Sequence, residues 1–126
     1  MRAIISATAA LLLAAAPALA EKKKVQVPNR YDGNWSIEVV TMEGPCDRAY
    51  RYGVRIDRGE ASYAGSEFNV NGRVTPKGAV RATTSRGSDS ANVVGRLERE
   101  GYGTGTWTTA GGAIACSGRW NAERRG

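Results

Sequence analysis

The triplets Gly72-Arg73-Val74, Gly95-Arg96-Leu97 and Gly118-Arg119-Trp120 recur every 23 residues. The position two residues before each glycine keeps its apolar role as Val70, Val93 and Cys116. An interval of that length holds two strands of about six to eight residues and their turns, so the repeating unit predicts a β-hairpin. Upstream of the repeat, Trp35, Ile37 and Val39 alternate with Ser36, Glu38 and Val40, and Tyr50, Tyr52, Val54 and Ile56 alternate with Arg51, Gly53, Arg55 and Asp57. A period of two marks antiparallel strands with one buried and one wet face.

Turn signals separate the runs: DRGE at 57–60, TPKG at 75–78, SRGSDS at 85–90, EREG at 98–101 and TAGG at 109–112. The expected fold is all-β, a small antiparallel up-and-down meander of about eight strands. Such a meander has two edges that invite aggregation, and joining first strand to last removes both. Cys46 follows the first strand and Cys116 stands in the last. A disulfide between them would bring the two ends of the meander together, which favours a closed or nearly closed barrel over a twisted open sheet or a β-sandwich.

Closure gives the glycines a purpose. Gly72, Gly95 and Gly118 are expected to face the interior at equivalent positions, where an absent side chain leaves room for bulky neighbours. Trp107, between Gly95 and Gly118, is the expected occupant of that room, with Trp35 and Trp120 completing the structural core. An eight-stranded barrel either fills itself with side chains or holds one small ligand. With seven aromatic rings among the inward positions, a solid core is expected.

Residues 1–20, MRAIISATAALLLAAAPALA, read as a secretory signal peptide ending in an A-x-A-like site. Pro17 interrupts the apolar run, which is short of the roughly 20 residues a membrane-spanning helix needs. No transmembrane span is expected after cleavage. Residues 21–30, EKKKVQVPNR, read as a flexible basic lead, and residues 31–126 as a single β domain. The placement is periplasmic or secreted, where two cysteines are expected to pair as Cys46–Cys116.

The chain carries 18 Lys and Arg against 12 Asp and Glu, and no histidine. Without histidine there is no imidazole base or ligand, and paired cysteines leave no thiol nucleophile. Most carboxylates fall at strand ends or turns. No enzyme activity, catalytic group, metal site or cofactor is expected.

Arg73, Arg96 and Arg119 follow the registered glycines and should point outward as a row, extended by Arg51, Arg55 and Arg81. That basic outer wall predicts a non-enzymatic exported binding protein contacting an anionic cell-envelope polymer through phosphate, carboxylate or sulfate groups. Alternative readings are a structural or protein-interaction module that contacts another exported protein, such as an inhibitor of an exported enzyme, and a small-molecule or haem-binding barrel. Nucleic acid is not an expected partner, because no exposed aromatic platform for bases is evident.

YDGNWSIEVVTMEGPCDRAY at 31–50 and GTGTWTTAGGAIACSGRWNAERRG at 103–126 resemble segments of small secreted proteins of rhizobia and related alphaproteobacteria. Some members of that group are labelled as related to haem utilisation. The shared motifs are structural: YDGNW at the entry, one cysteine towards each end, and CSGRW at the exit. They carry no haem ligand set, since histidine is absent and Met42 is the only methionine after the leader.

Overall fold

The computed structural model describes residues 30–126. The signal peptide expected at 1–20 and all of the basic lead except Arg30 lie outside the described residues. The remainder forms eight strands: β1 (Gly33–Glu43), β2 (Ala49–Asp57), β3 (Glu60–Ser62), β4 (Asn69–Val74), β5 (Ala79–Arg86), β6 (Asp89–Leu97), β7 (Tyr102–Gly111) and β8 (Ser117–Arg124). Each pairs antiparallel with its sequence neighbours, and β1 pairs with β8, closing the barrel.

The 23-residue interval reappears as geometry. Gly72, Gly95 and Gly118 sit on the even strands β4, β6 and β8. The turns at 75–78 and 98–101, also 23 residues apart, have one form: Gly78 donates to the Thr75 carbonyl and Gly101 to that of Glu98, at 2.9 and 3.0 Å. Their φ angles of 93° and 109° lie where only glycine is comfortable. The carbonyls of Gly78 and Gly101 then accept from Leu97 and Arg124, each at 2.8 Å. These bonds extend the β5–β6 and β7–β8 ladders by one rung and fix both turns at the same end of the barrel.

That end is densely packed. Tyr31, Trp35, Ile56, Val74, Leu97 and Ala122 are all buried there, and Trp35 is 1% exposed. Its indole N–H donates to the Tyr31 carbonyl at 2.8 Å. Arg124 closes the end from above, its guanidinium 5.0 Å from the Trp35 ring centre. It also donates to the carbonyls of Arg30, Asp32 and Arg99 at 3.0 to 3.2 Å. These charge-assisted bonds tie the entering chain, a turn and the last strand to one side chain. Arg124→Met, which keeps the stem and loses the donors, is expected to lower stability by about 2 to 4 kcal/mol in denaturant titration.

The tryptophans use the glycines differently from the expectation that Trp107 alone would fill the space. Trp120 on β8 crosses β7 at Gly105, its register partner, and donates to the Val94 carbonyl on β6 at 3.0 Å. A Cβ at Gly95 or Gly105 would come within 2.5 Å of its indole. Trp107 on β7 pairs with Gly118 on β8 and donates to the Val40 carbonyl on β1 at 3.2 Å. A Cβ at Gly118 would collide with that same carbonyl. Each indole therefore spans from its own strand to a carbonyl two strands away, with a glycine beneath. This is why one segment needs both residue types. Gly72 stands apart, since a Cβ there would meet only Ala82 and its neighbouring backbone.

At the other end, Cys46 in the β1–β2 loop is bonded to Cys116 just before β8, with Cα atoms 6.2 Å apart. A register shift in the β1–β8 pairing lies nearby, between Thr41 and Glu43. The third strand is only three residues long and pairs with β2 solely at 55–57. Among the described residues, 49–54 of β2 therefore have no strand partner on that side, and the segment 63–68 lies beside them. Tyr63 and Phe68 from this segment stack at 4.2 Å and pack edge-on against Tyr52 at 5.6 and 5.0 Å.

Candidate ligand cavity

The interior is not solid. A cavity of about 600 Å³ opens at the disulfide-bearing end and runs inward towards Trp35 and Trp120. Its size falls within the roughly 300 to 1,000 Å³ of small-molecule sites. Independent support comes from the wall: Ile37, Val70, Val80, Ala82 and Val93 face inward yet are only half-buried. In a filled core such aliphatic side chains would be fully covered.

Two features leave this space open. The indoles of Trp107 and Trp120 hydrogen-bond to wall carbonyls across glycines, so they line the wall rather than project across the lumen. Residues 82, 84, 91 and 109 are the small side chains Ala82, Thr84, Ala91 and Thr109, and all contribute to the lining. The solid core expected from seven aromatic rings does not form, because those rings are unevenly placed along the barrel axis. Tyr50, Tyr52, Tyr63 and Phe68 gather at the open end instead of in the middle.

The mouth has its own chemistry. Tyr50 is 46% exposed and Ile114 is 49% exposed. Tyr50 and Tyr52 stack with ring centres 6.0 Å apart. Burial, with smaller contributions from Tyr50 and Tyr63, pushes the Tyr52 hydroxyl up to about 12. It therefore stays a neutral phenol and a hydrogen-bond donor. Burial raises Tyr50 as well, reinforced by Asp47 and opposed by Arg86. Tyr63 donates to Glu67 Oε1 at 2.6 Å. That bond raises the phenol and holds the carboxyl below the usual range, so Glu67 remains charged.

The arginines singled out from sequence, Arg51, Arg55, Arg73, Arg81, Arg96 and Arg119, are all exposed on the outer wall. Arg73 and Arg81 face each other across β4 and β5, while Arg96 lies diagonal to Arg81. Thr104 and Thr106 on β7 then separate this group from Arg119. Carboxylates also interleave: Arg73 pairs with Glu60 at 3.8 Å, Arg96 with Glu98 at 3.8 Å and Arg51 with Glu38 at 3.7 Å. Arg55 bonds to Asn34 at 3.2 Å. The wall is mixed in charge rather than continuously basic, and such exposed pairs contribute only about 0 to 1 kcal/mol each.

Reading the sequence alone singled out neither Arg124 nor the mouth residues. Arg124 lies in the terminal AERRG, where nothing local distinguishes it from its neighbour Arg125. Alternation puts Tyr50 and Tyr52 on the face of Val54 and Ile56 but does not say which end of a barrel they occupy. Among the described residues, no three acidic or cysteine side chains gather in an arrangement able to hold a metal ion. Comparison of the chain with protein-family models, with curated proteins and with solved structures finds no match.

Proposed function

We propose that this protein is a small-molecule carrier that takes a largely apolar ligand into the barrel through its disulfide-bearing end. The one-ended cavity carries the reading, because its aliphatic wall is left partly uncovered by the side chains of the described residues. Burying such a wall against a ligand is favourable by roughly 25 cal/mol per Å² of apolar surface. The opposite end is closed by Arg124 and the buried side chains around Trp35, so entry and exit share one mouth. A disulfide at the mouth suits a periplasmic or secreted setting. This reading takes precedence over recognition of an anionic envelope polymer by the outer wall, where carboxylates accompany three of the six arginines.

The test is titration of the oxidised protein with a neutral, environment-sensitive fluorophore such as N-phenyl-1-naphthylamine. Saturable enhancement at one site per chain is expected. Ala91→Phe, which projects a ring from β6 into the lumen, should weaken binding at least tenfold with little change in denaturation midpoint. Absence of saturable binding by the wild-type protein would reject the carrier function. Arg73→Gln, Arg96→Gln and Arg119→Gln together should leave fluorophore binding unchanged. Loss of binding to anionic envelope polymers in that triple variant, with no fluorophore uptake by wild type, would restore the outer-wall reading.

A further inference from the structure

The charged residues lining the cavity are confined to one end. Asp47, Glu67, Arg86 and Asp89 surround the mouth, while the deeper lining is mainly aliphatic and indole, with the hydroxyls of Thr84 and Thr109 among it. A ligand matching this division has an apolar body and a polar head held at the rim. The sign of that head follows from what surrounds it. Arg86 and Asp89, one charge of each sign, are cross-strand partners on the last rung of β5 and β6. Asp47 and Glu67 remain, on the loops 44–48 and 63–68 to either side of β2. Tyr50, Tyr52 and Phe68 line the same part of the cavity, and the faces of such rings attract cations.

We infer that the cavity selects an amphiphile with a cationic head, an alkyl amine or quaternary ammonium, seated at the mouth beside Asp47 and Glu67 on the tyrosine rings, with its apolar tail in the lumen. The inference rests on the carrier reading above. Two further observations agree with it. At the Tyr50 hydroxyl, after burial, the raising influence of Asp47 exceeds the lowering influence of Arg86. Glu67 is kept ionised by the Tyr63 hydroxyl. Both contrast with the chain as a whole, whose formal charge is +6.

Three ligands with the same tail separate head from body: dodecyltrimethylammonium, dodecanol and dodecanoate, each below its micelle concentration, competing against the neutral fluorophore on the oxidised protein. The ammonium is expected to bind about three- to tenfold tighter than the alcohol, and the carboxylate more weakly than either. Raising salt should narrow these differences. Asp47→Asn should reduce the ammonium preference about threefold, its backbone carbonyl still accepting from Thr41. Arg86→Gln should move the balance the other way and strengthen ammonium binding. Equal binding of all three, or tighter binding of dodecanoate that Arg86→Gln removes, would overturn the cationic head while leaving the carrier function intact. Failure of all three, and of the fluorophore, would instead reject the carrier function.

Discussion

Valine at position 105 or 118 is expected to destabilise the barrel by at least about 3 kcal/mol, enough to leave much of the protein unfolded. Overpacking where side chains can yield costs roughly 1 to 3 kcal/mol. Here the obstacles are backbone: a Cβ at Gly118 collides with the Val40 carbonyl, and one at Gly105 with the Val94 carbonyl. Those carbonyls cannot withdraw without disturbing the sheet and the indole that donates to each. Natural domains hold only about 5 to 15 kcal/mol in total. Gly95→Val should behave similarly, since its Cβ would meet the Thr104 carbonyl and the Trp120 ring. Gly53→Val is the control. Its Cβ would find only the Trp35 carbonyl, at an ordinary 3.8 Å, so stability should hold or rise as strand glycine is replaced. Chemical denaturation followed by tryptophan fluorescence measures all four. Wild-type stability in the 105 and 118 variants would show that the indoles do not need glycine beneath them.

Opening the Cys46–Cys116 bond should cost up to about 4 kcal/mol, because the bond spans 70 residues and a loop of that length restricts the unfolded chain strongly. The loss should be expressed most at the mouth, where the bridge joins the β1–β2 loop to the entry of β8 beside the β1–β8 register shift. Denaturation of the protein with and without reductant, alongside a Cys46→Ala, Cys116→Ala variant, measures the effect. Amide exchange should show the faster opening at 41–49 and 112–118 rather than around Trp35. Two freely alkylated thiols in the unreduced protein, seen by intact mass, would remove the bond from the native structure. Unchanged exchange at the mouth after reduction would show that β1–β8 pairing alone holds that end.

The all-β class and the hairpin repeat were legible from residues 31–126 by local rules, while the disulfide also drew on the leader at 1–20, and barrel closure on the disulfide and on the two edges an open meander would expose. Alternation assigns faces, turn residues place reversals, and two cysteines permit one intramolecular pairing. Inward glycines were legible for the same reason. Their partners were not: Trp107 and Trp120 reach carbonyls on strands distant in sequence, and only the closed sheet determines which strands those are. Whether the lumen is filled also escaped a count of aromatic residues. Volume depends on where along the axis each ring lies and whether it lies flat on the wall. Likewise, Asp47, Glu67, Arg86 and Asp89 come from three separate connections, and an alternation pattern gives no reason to bring them together. Sequence alone determined which residues face inward, because strand pleating is local. Tertiary structure alone decided that an open, charged mouth lies at one end and a sealed one at the other, because both ends are assembled from loops far apart along the chain.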